Sequence, residues 1–150
     1  MNALRIYGHL AGLLLLALTA CHVNSSRLND EQDKVVADEF MVDYFSNQQL
    51  GHTETNLRLF SSRFWQVTPR DKVTLLFRKR DELLGRLQDT ALKDWTTKVI
   101  SGTDPSGEYQ LRYENQYANG TAIETFTLAR EANDSLRILS YNISSDAFFR

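Results

Sequence analysis

The sequence is poor in the residues that most often carry chemistry. It has one cysteine, Cys21, in 150 residues, so no disulfide can form within the chain and no cysteine pair exists to hold zinc. Its three histidines are His9, His22 and His52. They fall in a leader, a polar stretch and a loop rather than on an apolar stripe, which argues against a histidine-centred acid-base pair and a histidine-rich metal site. There is no glycine-rich phosphate loop, and Ser61-Ser62, Ser101 and Ser144-Ser145 lack the partner spacing of a nucleophile. No metal and no cofactor are expected. Charge of one sign is also lacking: a formal net charge of −2 gives no footprint for nucleic acid or for an anionic membrane surface. Neither internal repeats nor low-complexity tracts occur.

Also missing is an apolar run long enough to cross a bilayer. Residues 10–20 are almost wholly apolar, but that is roughly half of the ~20 residues a spanning helix needs. Preceded by Arg5, the run has the form of the h-region of a secretory signal. It closes on Leu18-Thr19-Ala20-Cys21, which resembles the bacterial lipobox: an aliphatic residue, two small ones and the modified cysteine. The resemblance implies that the Cys21 thiol is diacylglycerated, that residues 1–20 are cut away as a signal peptide, and that the new amine is acylated, as with palmitate. Each buried methylene contributes about 0.8 kcal/mol, and two or more acyl chains hold stably. The lipid bilayer is therefore the expected partner of Cys21. His22 rather than Asp follows the cysteine; by resemblance to sorting in Gram-negative envelopes, this implies the periplasmic side of the outer membrane. Cleavage leaves 130 of the 150 residues and a formal charge of −3, because Arg5 leaves and no acid does. That length suits one domain.

In the mature chain, residues 21–32 are polar and read as a flexible tether carrying lipidated Cys21, with a single domain over 33–150. Asn29 or Asp30 can cap a first helix running to about Gln48. Val36, Phe40, Met41, Tyr44 and Phe45 form its apolar stripe, at helical spacing. A second short helix, about residues 55–66, offers Leu57, Phe60, Phe64 and Trp65. Thr68-Pro69-Arg70-Asp71 starts a third, with Val73, Leu76, Phe77, Leu83, Leu84 and Leu87 inward. Arg78-Lys79-Arg80, followed by Asp81-Glu82, reads as a solvated face.

Beyond residue 90 the period changes to two. Residues 92–101 form a strand with Trp95, Thr97 and Val99 on one side, and residues 104–107 make a turn. In residues 108–117, Tyr109, Leu111, Tyr113, Asn115 and Tyr117 alternate with Glu108, Gln110, Arg112, Glu114 and Gln116. Asn119-Gly120 is the strongest short hairpin signal, a type I′ turn. It sets Tyr117 opposite Ala122, Asn115 opposite Glu124, Tyr113 opposite Phe126 and Leu111 opposite Leu128. Asn133-Asp134-Ser135 turns the chain into a last strand over residues 136–143. Either Leu139 and Tyr141 or Leu136 and Ile138 face Leu128.

Helices followed by an antiparallel four-strand meander define the α+β class. Leu84-Gly85, Gly107-Glu108-Tyr109, Tyr113, Tyr117, Glu124-Thr125, Leu128 and Ser140-Tyr141-Asn142-Ile143 together resemble small secreted bacterial families with a nuclear-transport-factor-2-like, or SnoaL-like, domain. The resemblance covers roughly residues 60–145, and its motifs are structural. Leu136 departs from it, standing where the last strand usually opens with Trp. It implies a cone-like, cystatin-like fold with helices packed on a curved meander.

One constellation on the inward face is polar. Glu124 beside Asn115, flanked by Tyr113 and Tyr117, forms a candidate ligand-binding set, with Glu124 the candidate catalytic carboxylate because burial raises a carboxylate's basicity. Paired with Asn115, the same Glu124 is satisfied structure, and that reading is favoured. Two functions follow: a non-enzymatic envelope lipoprotein whose domain binds another envelope protein or a small apolar ligand, or a SnoaL-like enzyme with Glu124 in its pocket.

Overall fold

The computed structural model describes residues 24–149; Cys21 and the leader lie outside them. The order is β1 (Ser25–Leu28), α1 (Glu31–Gln49), α2 (Thr53–Leu57), α3 (Ser62–Val67), α4 (Arg70–Leu84), β2 (Leu87–Ser101), β3 (Ser106–Tyr117), β4 (Gly120–Arg130) and β5 (Leu136–Ser144), with a final 3₁₀ turn (Asp146–Phe149). The fold is α+β, as its sequence pattern predicts, but the sheet is an open antiparallel meander of five strands rather than four, in the order β1-β2-β3-β4-β5. The added strand lies inside the stretch expected to be a tether. Ser25–Leu28 pairs with residues 98–101 of β2, because that edge of β2 offers unpaired backbone donors and acceptors. Helical structure begins at Glu31, with the Asp30 side chain accepting from the Gln32 amide at 2.8 Å. No helix of the described residues is long and apolar enough to cross a membrane.

The helices cover one face of the sheet. Ala37, Met41, Tyr44 and Phe45 of α1 are buried, while Val36, placed on the apolar stripe by spacing, is exposed. The second helix is split in two. Between α2 and α3 the chain straightens and pairs with β5: the Ser61 amide donates to the Ile138 carbonyl and the Ile138 amide to Leu59, both at 2.9 Å. Helix α4 buries Val73, Phe77, Arg80 and Leu84, and leaves Leu83 exposed. Leu87 is buried as the first residue of β2, a strand that starts five residues earlier than the alternation suggests. On the sheet, Tyr109, Leu111, Tyr113, Asn115 and Tyr117 all point inward. An aromatic cluster fills the interface, with Tyr44 on Phe126 at 5.0 Å, Phe45 on Tyr113 at 4.9 Å and Phe126 on Tyr141 at 5.0 Å between ring centres.

The β3–β4 hairpin differs from expectation by two residues. Tyr117 pairs with Gly120, Asn115 with Ala122, Tyr113 with Glu124 and Leu111 with Phe126, so the two-residue loop is Ala118-Asn119. A shift of two keeps every side chain on its face. Helix α4 decides the register. The Asn119 amide donates to the Leu84 carbonyl at 2.9 Å and the Ala118 amide to Arg86 at 3.0 Å, satisfying a helix-end acceptor that would otherwise be orphaned. Neither Ala118 nor Asn119 has a positive φ, so the turn is not type I′. The close approach needs glycine at position 85, where φ is +75° and an added Cβ would lie 3.1 Å from the Asn119 side chain.

The last strand takes the Leu136/Ile138 alternative opposite Leu128, and of the other pair only Tyr141 packs on the core. Ile138 pairs with Leu128, then a bulge at Thr127/Leu128 lets Tyr141 pair with Phe126 and Ile143 with Glu124. The bulge re-aims the strand, and it brings Tyr141 inward over the centre of the sheet.

Candidate functional site

Glu124, in the middle of β4, is completely buried. Its Oε1 accepts from Asn115 Nδ2 at 2.8 Å and from the Tyr117 hydroxyl, and its Oε2 accepts from the Tyr141 hydroxyl at 2.8 Å. Gln48 of α1 donates through Nε2 to the Tyr117 hydroxyl at 2.8 Å. A chain of donors therefore runs from α1 through β3 to the carboxylate, and β5 closes its other side. Three donors to one buried carboxylate is the satisfied state that burial demands.

Of the expected set, Asn115, Tyr117 and Glu124 come together; Tyr113 does not join them. Its ring packs against Phe45, and its hydroxyl donates to Asp38 Oδ1 of α1 at 2.6 Å. Tyr113 instead lines a hollow of about 300 Å³ between α1 and β2, with Asp38, Val42 and Leu92. Asn115 reaches Glu124 diagonally rather than from the directly opposite position.

Arg80, Tyr44 and Tyr141 join the cluster although the candidate set does not include them. Arg80, in the run that reads as a solvated face, is buried, with its guanidinium 4.7 Å from the Phe77 ring centre. Its Nε donates to Asp81 Oδ1 at 2.9 Å at the surface end. The available signal is periodic: Val73, Phe77, Arg80 and Leu84 recur at i, i+4, i+7 and i+11, which is one helix face. Tyr44 of α1 and Tyr141 of β5 complete the group.

The charges are coupled. Burial works against the Arg80 cation, but the negative charge of its surroundings, that of Glu124 included, outweighs it and holds its pKa above the ordinary arginine value. Burial raises the Tyr117 hydroxyl, and the Glu124 charge raises it further. Tyr141 is raised in the same order of causes. Burial is also the main cause for Tyr44, with Arg80 opposing it. Burial and the bond to Asp38 raise Tyr113. These tyrosines are therefore held as donors, the role the carboxylate needs.

That arrangement predicts an alkaline signature. A free tyrosine ionises near pH ~10, and a raised folded-state pKa means full stability below that value and progressive loss as pH rises above it. Tyr44, Tyr113, Tyr117 and Tyr141 are expected to stay protonated until the domain unfolds, so tyrosinate absorbance and loss of circular dichroism should rise together. Four tyrosinates appearing near pH 10 in a still-folded protein would contradict the buried network.

The geometry suits structure better than turnover. Both oxygens of Glu124 are occupied and neither reaches solvent, so a substrate proton has no path to them. Among the described residues, no group of three or more His, Cys, Asp or Glu side chains could hold a metal ion. His52 is exposed at the start of α2, and its side chain makes no capping bond. Comparison with protein-family models, with curated proteins and with solved structures finds no match to the chain.

Proposed function

We propose that this protein is a lipid-anchored component of a bacterial envelope, held through Cys21 at the periplasmic side of an outer membrane, and that its domain is a binding or assembly module rather than an enzyme. We assign the domain to the cone-like, nuclear-transport-factor-2-like architecture, on the order of its elements and on the motifs quoted from its second half. The observation that carries the non-enzymatic reading is the closed state of Glu124: three donors and no exposure, within the packed interior. An enzyme of the SnoaL-like kind would need that carboxylate at an open pocket wall. The binding surface of the module then lies outside this cluster, and the partner is another envelope protein or a small apolar ligand.

Cys21→Ala tests the anchoring. The variant is expected to lose the mass of its acyl chains, to incorporate no labelled palmitate, and to leave the membrane fraction. Equal labelling of wild type and variant would overturn the lipoprotein reading.

A further inference from the structure

We infer that the hollow between Arg63, Lys98 and Arg130 takes the phosphate of an anionic membrane lipid headgroup, held at the bilayer by the N-terminal strand. The inference rests on anchoring through Cys21 and adds a second, reversible contact with the same membrane.

The first observation is reach. β1 begins at Ser25, which pairs with Ser101, and the Asn24 side chain accepts from the Thr103 amide at 3.1 Å. The chain is thus fixed to the β2–β3 end of the sheet by residue 24. Only His22 and Val23 separate Asn24 from Cys21, and an extended chain spans at most ~3.6 Å per residue. Three residue steps therefore allow roughly 11 Å, against roughly 5–8 Å for one headgroup layer of a bilayer whose core is ~30 Å thick. An anchored domain cannot lift its β2–β3 end far from the headgroups.

The second observation is the chemistry at that end. A hollow of about 260 Å³ is lined by Lys98 and Ile100 of β2, Glu108 of β3, Ala129 and Arg130 of β4, and Arg63 of α3. Lys98 pairs with Glu108 and Glu108 with Ala129 across the sheet, so the small Ala129 side chain leaves the floor low between longer ones. Arg130 is held by the Tyr109 hydroxyl at 2.7 Å and by Asp134 at 2.8 Å. Arg63 and Lys98 are exposed and pair with no carboxylate among the described residues. Arg63 and Lys98 face one acid of the lining, Glu108, while Arg130 is already paired with Asp134; guanidinium and ammonium groups suit a phosphodiester.

A third observation selects a lipid over free phosphate. Leu28 pairs with Lys98 and is 68% exposed. An exposed leucine beside Lys98 gives the hollow an apolar rim that an acyl chain can use and free phosphate cannot.

The test uses the full-length acylated protein in vesicles of phosphatidylcholine, with and without phosphatidylglycerol. Acylation occupies Cys21, so a nitroxide on Thr103→Cys reports depth at the proposed end, and one on Ala118→Cys reports the opposite turn. The Thr103 label is expected to lie in the headgroup layer of phosphatidylglycerol vesicles, and the Ala118 label in water. In Arg63→Gln and Lys98→Gln, the ratio of immersed to free label should fall about fivefold per cation removed, with unchanged melting because both side chains are exposed. Added inorganic phosphate should leave the label where it is. Equal immersion in wild type and the double variant, or in vesicles with and without phosphatidylglycerol, would overturn the headgroup site. Release of the label by inorganic phosphate would reassign the hollow to the free anion. A chain without acyl mass that stays out of the vesicles would instead remove the anchoring on which the site depends, and mass spectrometry reads that separately.

Discussion

Glu124→Ala is expected to destabilise the domain by about 3–5 kcal/mol, the cost of breaking a buried charged network by removing one member. The carboxylate is the shared acceptor of Asn115, Tyr117 and Tyr141. Alanine leaves all three donors buried without a partner, each at about 1–3 kcal/mol and not additively. It also removes one of the negative charges that act on the buried Arg80, which keeps its bond to Asp81. Against a total stability of about 5–15 kcal/mol for an ordinary domain, such a loss brings the fold close to its limit. Glu124→Gln keeps the shape and one acceptor oxygen, and should cost about 1–3 kcal/mol. Chemical denaturation of both variants orders them. A glutamine variant as stable as wild type but deficient in some turnover would instead support the catalytic role.

The second expectation concerns the cation. Arg80→Met keeps an unbranched apolar stem on the same helix face but removes the guanidinium over Phe77 and its charge; alone it should cost about 3 kcal/mol. Combined with Glu124→Gln, it should cost about 1–3 kcal/mol less than the sum of the two single changes, because each single variant removes a charge that the other group interacts with. The prediction follows from the mutual influence of Arg80, Glu124, Tyr117 and Tyr141. A double-mutant cycle that closes to within about 0.5 kcal/mol would separate Arg80 from the network and leave it as a packing residue.

These residues also mark how far the sequence could be read. Alternation along residues 108–117 was enough to orient β3, and the inward placement of Asn115, Tyr117 and Glu124 followed from it. The register did not follow, because Asn119-Gly120 has a strong local preference that the α4 carboxyl end overrides through the Leu84 carbonyl. Both registers put the same side chains inward, so pattern alone does not distinguish them. Arg80 was hidden for a different reason. Its neighbours Arg78 and Lys79 are exposed, and a charge run reads as one face although a helix turns ~100° per residue. Tyr141 depended on a bulge, and β1 on an unpaired edge of β2. Neither leaves a mark in apolar periodicity. The helix count failed at residues 59–61 because a backbone pairing with Ile138, distant in sequence, interrupts a stretch of good helical spacing.

β1 has a mechanical consequence. It lies antiparallel to β2 over four residues, and Arg27 ties it to Asp33 of α1 through a two-pronged contact at 2.7 and 3.0 Å. Tension applied at residue 24 along the strand axis would load the pairings in shear, so that they yield together rather than being peeled apart one at a time. The ion pair shares that load from the other side. Drag on the domain would therefore have to break the whole clamp in a single event before α1 moves and the buried carboxylate is disturbed.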